Sequence, residues 1–337
     1  MQKVRHPVFI LLALAVLFVA SLALSLSLGR YDVDFAQVLS YLVSPATADS
    51  QAAYEANVLL TLRLPRIVAA AIVGAGLAGA GCAFQGVFKN PMVSPDLLGA
   101  SAGACFGAAL GILLSAGSVG IEVMAFAVGI VAVAASYLLS SVLGRQMTGT
   151  LVLVLSGLVV GNLFQAFTSA VKFLADPNSQ LPEITFWLMG GLSSVREEDL
   201  ALLVVTFLIG TVGLLALRWR INVLALGDEE ALALGVNVTR TRGLVIVFAT
   251  LMTASSVAVA GMVGWVGLIV PHLARFLIGP DNRHLLPASL LLGATFLLLV
   301  DDVCRGIYTT EIPLSILTAV LGAPLFVYLV SRQRRLR

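Results

Sequence analysis

The sequence predicts an all-α, polytopic membrane protein with about ten transmembrane helices. Three observations carry this. Only 11% of the 337 residues are charged and 59% are apolar, whereas a soluble domain carries about 25% charged residues. Apolar runs of span length recur along the whole chain, which a water-soluble fold could not bury. The basic residues fall mainly on one side of the layer those runs define.

The elements follow in order. Lys3, Arg5 and His6 precede an apolar run over 7–28. It resembles a signal peptide, but its length of about 22 residues suits a retained first span better than a cleaved core of about 7–15. The remaining expected spans are 64–85, 95–115, 120–143, 149–172, 199–217, 243–260, 264–279, 285–302 and 313–331. The stretch from Gly243 to Ala274 lacks Asp, Glu, Lys and Arg; it is too long for one span and short for two. Gly261 and Gly264 mark the split, and the chain turns polar beyond it at Arg275, Asp281, Arg283 and His284. Ten spans put fourteen Lys and Arg residues on the side of the termini and six on the other. That bias predicts cytoplasmic termini in a bacterial-type inner membrane. No linker or low-complexity tract divides the chain, so 1–337 reads as one transmembrane domain.

Small residues in Ala69–Gly81 (AAAIVGAGLAGAG) recur three and four apart. Such a face lets helices approach closely in lipid. Most prolines stand near span ends, while Pro324 lies inside the last span and predicts a kink there. The loops over 29–62 and 173–199 are long and polar and fall on the outer side. Cys82, Cys105 and Cys304 are far apart and form no metal or redox spacing. His272 follows Pro271 and reads as a hydrogen-bonded packing residue; no histidine or cysteine set suggests a metal site.

Several motifs line up. They are Arg63-Leu64-Pro65-Arg66, Gln85 with KNPMVSPDLLG at 89–99, LGDEEALALGV at 226–236, GLIVPHLAR at 267–275, Asp301 with Arg305, EIP at 311–313 and GAP at 322–324. In this order the chain resembles the FecCD-type permease subunits of ABC importers for iron chelates, vitamin B12 and haem. The resemblance implies the type II ABC importer permease architecture and a homodimer. It also implies cytoplasmic ATPase subunits that hold ATP and Mg, and a periplasmic or lipid-anchored substrate-binding protein. An iron chelate is the implied cargo, with haem, vitamin B12 or molybdate as alternatives. Two positions depart from the pattern: Ser315 replaces the usual glycine after EIPx, and Asp302 adds a second acid beside Asp301.

Three constellations follow. In 226–236 the acids Asp228, Glu229 and Glu230 open a short helix, where negative charge suits the helix dipole, and Gly235 is a plausible C-terminal cap. Without the resemblance this is a solvated turn; with it, Leu226, Gly227, Asp228, Glu229, Glu230, Leu234 and Gly235 are the expected ATPase-coupling element. Arg63, Arg66 and Arg305 lie on the outer side against the charge bias. The resemblance implies that they receive carboxylates of the binding protein. Snorkelling, or pairing with Asp301, Asp302 or Glu311, is the alternative. Gln85, Asn162 and Gln165 are expected on the translocation path, Asn162 and Gln165 sharing one helix face; bonding to neighbouring helices is the other possibility.

No GxxxxGK[ST] phosphate loop is present, so this chain is expected to bind no cofactor and to hydrolyse no ATP. The spans are almost free of Asp and Glu, which argues against an ion-coupled secondary transporter. No paired acids or Ser/His arrangement suggests an intramembrane enzyme. The basic residues form no groove for nucleic acid.

Overall fold

The fold is described from a computed structural model, for residues 6–28, 57–143, 149–306 and 311–335. It is helical, with no strand among those residues. Twelve α-helices follow in order: α1 (Pro7–Ser27), α2 (Leu64–Val87), α3 (Ala100–Leu113), α4 (Gly117–Leu143), α5 (Gly149–Leu174), α6 (Gln180–Met189), α7 (Glu197–Leu226), α8 (Asp228–Ala233), α9 (Val238–Ala260), α10 (Val266–Ile278), α11 (Asn282–Gly306) and α12 (Leu314–Arg335). Ten correspond to the expected spans. Seven are long and apolar enough to cross a bilayer; α3, α10 and the 314–329 part of α12 are shorter apolar helices.

The third and eighth spans are shorter than the sequence suggested. Pro95–Leu98 forms a 3₁₀ turn capped by Ser94, and Gly99 at φ 83° breaks it from α3. The α10 helix has 13 residues, a rise of about 20 Å against a hydrocarbon core of about 30 Å. The chain from Gly261 to Gly264, just before α10, is non-helical. Irregular backbone at membrane depth is tolerated where protein covers it. Here Gly261 packs so tightly on Trp187 and Gly190 that a Cβ would stand 2.3 Å from the Trp187 carbonyl oxygen. The segment 173–199 is not simply a loop: α6 occupies its middle. Most of the loop over 29–62 lies outside the described residues, whose last part here, Val58–Arg63, is a π-helical turn running into α2.

The bundle is built around α2. Twenty of its 24 residues are buried, and α7, α9, α10 and α11 pack against it. The small-residue face makes this possible. A Cβ on Gly74 would stand 2.2 Å from the carbonyl oxygen of Gly293 on α11, and one on Gly81 would stand 1.8 Å from that of Gly267 on α10. Helix association in lipid rests on such packing, since water exclusion contributes little there. On one side of the bundle α3 packs against α4 and α5; on another, α1 lies along α11.

Two apolar clusters lie along this axis. Phe84, Val87, Ile221, Leu224, Ile278 and Leu285 belong to the half next to α8. Ile67, Val73, Leu77, Val266, Leu297 and Leu298 belong to the other half. Cys82, Cys105 and Cys304 are buried free thiols. Pro324 lies inside α12. His272 is buried but differs from expectation: neither ring nitrogen has a hydrogen-bond partner, and the ring meets Phe276 edge-on at 5.4 Å.

Candidate functional site: acidic helix, arginine cluster and cavity

At one end of the bundle the 226–236 stretch folds as expected. The acids Asp228, Glu229 and Glu230 form the first turn of α8. Its C-terminus closes in a Schellman arrangement: Val236 N–H donates to Ala231 O and Gly235 N–H to Leu232 O, each at 2.9 Å. Gly235 adopts φ 76°, a left-handed conformation that glycine enters without a Cβ penalty. Ala231 is fully buried, whereas Leu226, Leu232 and Leu234 are 65%, 62% and 55% exposed. With exposed Glu229 and Glu230 they make a short acidic and apolar ridge.

The three acids are not equivalent. Asp228 leans toward the bundle with its side chain still 46% exposed, accepting from Arg242 Nη2 at 3.0 and 3.1 Å and from Lys89 Nζ at 3.2 Å. Partial burial works against its ionisation, but these two cations hold its carboxyl below the usual range. Arg242 belongs to α9, and Lys89 follows the end of α2 in a left-handed turn. Asp228 therefore ties α8 to two helices of the bundle. Nearby, Asn222 Oδ1 accepts from both the backbone N–H and the side-chain amide of Asn282, each at 2.8 Å, joining α7 to the start of α11.

At the opposite end lie the three arginines. Arg66 is held between two acids: its Nε and Nη2 bind Asp301 at 2.9 and 2.8 Å, and its Nη1 and Nη2 bind Glu311 at 2.7 and 3.0 Å. Arg305 pairs with Asp302 and donates to Ser25 O and Oγ at 2.6 and 2.8 Å. Ser25 in turn donates to Asp302 at 2.7 Å. Arg63 is buried and donates to Leu26 O at 3.2 Å. In this conformation the guanidinium groups turn inward, onto α1, α11 and Glu311. The added acid, Asp302, is what holds Arg305.

The polar path residues separate. Asn162 and Gln165 on α5 line a cavity of about 640 Å³ together with Asp96, Ser101, Thr168 and Ser169. Gln85 lies elsewhere. It is buried between α2 and α10, donating to Leu268 O at 3.1 Å and accepting from Arg275 Nη2 at 3.1 Å. It takes the helix-bonding role that the sequence left open. Asp96, which the sequence did not single out as a path residue, also lines the cavity; Ser101 donates to its carboxylate across the break at Gly99. The signal available was an acid between two helix breaks, Pro95 and Gly99. Gly157 and Gly161 of α5 also line the cavity. At Gly157 a Cβ would stand 2.1 Å from Leu97 O, so α5 lies directly on the Pro95–Leu98 turn. No Lys or Arg lines this cavity, so among the described residues it offers an anion no fixed positive charge.

A helical bundle with seven helices long and apolar enough to cross a bilayer, and a cavity beside its axis, is the architecture of a polytopic membrane protein. The chain belongs to the FecCD transport family, which it matches over residues 16–332. It is an ABC importer permease of that type. It is 40% identical over 335 residues to the molybdate import system permease protein MolB of Haemophilus influenzae, covering 99% of this chain and 98% of that one. It is 39% identical over 277 residues to a probable iron chelatin transport system permease protein of Helicobacter pylori, covering 82% and 83%. Among solved structures, an inward-facing conformation of a metal-chelate type ABC transporter matches with a TM-score of 0.86 and 40% identity, over 96% of this chain and 99% of that one.

Proposed function

We propose that this chain is the translocation subunit of an ATP-driven importer that carries an iron chelate across the cytoplasmic membrane. The cargo is handed over by a periplasmic or lipid-anchored binding protein. Two copies of the chain form the conduit, both termini face the cytosol, and ATP and Mg are held by a separate ATPase. The observation that carries this is the α8 ridge: exposed leucines and glutamates on a helix that Asp228 fastens to α2 and α9. A helix bound in that way passes a push from a cytosolic motor directly to the central helix. Arg63, Arg66 and Arg305 are the proposed docking positions, and docking there is an exchange: a carboxylate from outside displaces an internal one.

A second reading of the cargo is molybdate, favoured by the full-length similarity to MolB. Haem and vitamin B12 are further alternatives within the same mechanism. Reconstitution with the cognate ATPase and binding protein in vesicles tests the proposal. Uptake of radiolabelled ferric chelate that needs ATP and is not competed by molybdate supports it. ATP-dependent molybdate uptake with no chelate uptake moves the cargo to the second reading. Chelate uptake driven by an ion gradient without ATP overturns the mechanism.

A further inference from the structure

Away from the polar path, α4 and α9 enclose a recess of about 370 Å³ lined by Ile130, Val133, Tyr137, Gly243, Val247 and Thr250 among others. Two of its lining side chains open it to the hydrocarbon side: Tyr137 on α4 is 37% exposed and Val247 on α9 is 52% exposed. Gly243 keeps the recess open, since a Cβ there would meet nothing closer than the Tyr137 hydroxyl at 3.8 Å.

Two further features mark one end of the recess. Arg240, Gly243, Val247 and Leu251 stand three, four and four residues apart, so they share one face of α9. Arg240 is exposed, at the α8 end of that face, and forms no ion pair among the described residues. The Tyr137 hydroxyl, level with Gly243, lies about 4.5 Å along the axis from Arg240, and makes no hydrogen bond among the described residues. A cation, then a phenol, then an apolar slot is the order of a phosphate, an ester carbonyl and an acyl chain.

We propose that this recess binds one phospholipid of the cytosolic leaflet, with its acyl chain between α4 and α9, an ester at Tyr137 and its phosphate at Arg240. The leaflet assignment rests on the topology proposed above; the site itself does not. An anionic headgroup is favoured, because a basic side chain at a membrane surface contributes about 1 kcal/mol per charge, or about a fivefold preference.

The test uses native mass spectrometry of the purified full chain in detergent, titrated with palmitoyl-oleoyl phosphatidylglycerol or phosphatidylcholine. The expected result is one retained lipid per protomer, with phosphatidylglycerol preferred about fivefold. Val247→Trp and, independently, Gly243→Leu should each lower occupancy at least about tenfold. The residue at 247 is half-exposed, so its replacement fills the slot without touching the packed core. Arg240→Gln should keep the lipid but abolish the headgroup preference. Leu208→Trp, on the exposed face of α7, is the control and should change neither. No retained lipid, equal occupancy in the wild type and both slot variants, or equal loss in the control overturns the proposal. So does a dimer that both slot variants dissociate while no lipid is retained.

Discussion

The carboxylate of Asp301 is 1% exposed and sits against Arg66. Within an apolar bundle a charge of that kind persists only because its partner is there. Replacing Arg66 with Leu strands Asp301, while Glu311, 34% exposed, stays solvated. Breaking a buried pair from one side costs about 3–5 kcal/mol. The expected outcome is a large loss of thermal stability in detergent, measured by the unfolding midpoint. The double variant Arg66→Leu/Asp301→Leu should recover much of it, because no uncompensated buried charge remains at 301. Asp228 gives a pH prediction. Its folded carboxyl lies below the usual range, so its contribution is fully present above about pH 4, the ordinary value. It is lost only as pH falls through the lower folded value. The ratio of transport to ATP hydrolysis in the reconstituted complex should therefore be flat between about pH 6 and 8 where Asp228 is concerned. A titration in that window that Asp228→Asn removes would contradict the assignment.

At the scale of elements, the coupling role proposed for α8 rests on its attachment. Asp228→Asn keeps the exposed ridge but weakens both charge-assisted bonds to Lys89 and Arg242. ATPase assembly should persist while uptake per ATP falls several-fold. Assembly lost together with uptake would instead make Asp228 part of the binding ridge. For α2 the controlling feature is close approach. Gly81→Val would press a side chain into the Gly267 carbonyl, and overpacking of this kind costs about 1–3 kcal/mol or more. The expected result is loss of monodisperse protein after extraction. Gly235→Ala is far milder, because open space surrounds that position. Only its left-handed φ penalises a Cβ, by about 1 kcal/mol. These elements were legible early. The small-residue face, the acids opening α8 and the glycine closing it are local patterns, and local patterns survive into the fold. The α6 helix was missed although Leu181, Ile184 and Leu188 carry a helical spacing: ten residues holding Pro182 and Glu183 are too few to stand out as a span.

At the scale of the molecule, the inward-turned arginines predict how docking responds to salt and to mutation. If a binding-protein carboxylate must displace Glu311 from Arg66, Glu311→Gln should strengthen docking at low salt by removing the competitor. Titration calorimetry or surface plasmon resonance with the cognate binding protein measures this. Weaker docking in Glu311→Gln would show that the acid itself takes part in the contact.

The residues alone determined that the chain lives in lipid, that it crosses about ten times, and that 226–236 forms a capped helix at one end. Composition, run length and capping residues act over a few positions, so they need no knowledge of distant partners. Only the folded bundle decided the rest. It chose Asp301 for Arg66 across 235 residues of sequence, sent Gln85 to a helix contact and Asn162 to a cavity, and leaned Asp228 toward the bundle while Glu229 faces out. The physical reason is common to all of them. In lipid a polar group takes whichever partner the packing of helices brings within about 3 Å, and that packing is set by the whole assembly of small-residue faces rather than by any one stretch.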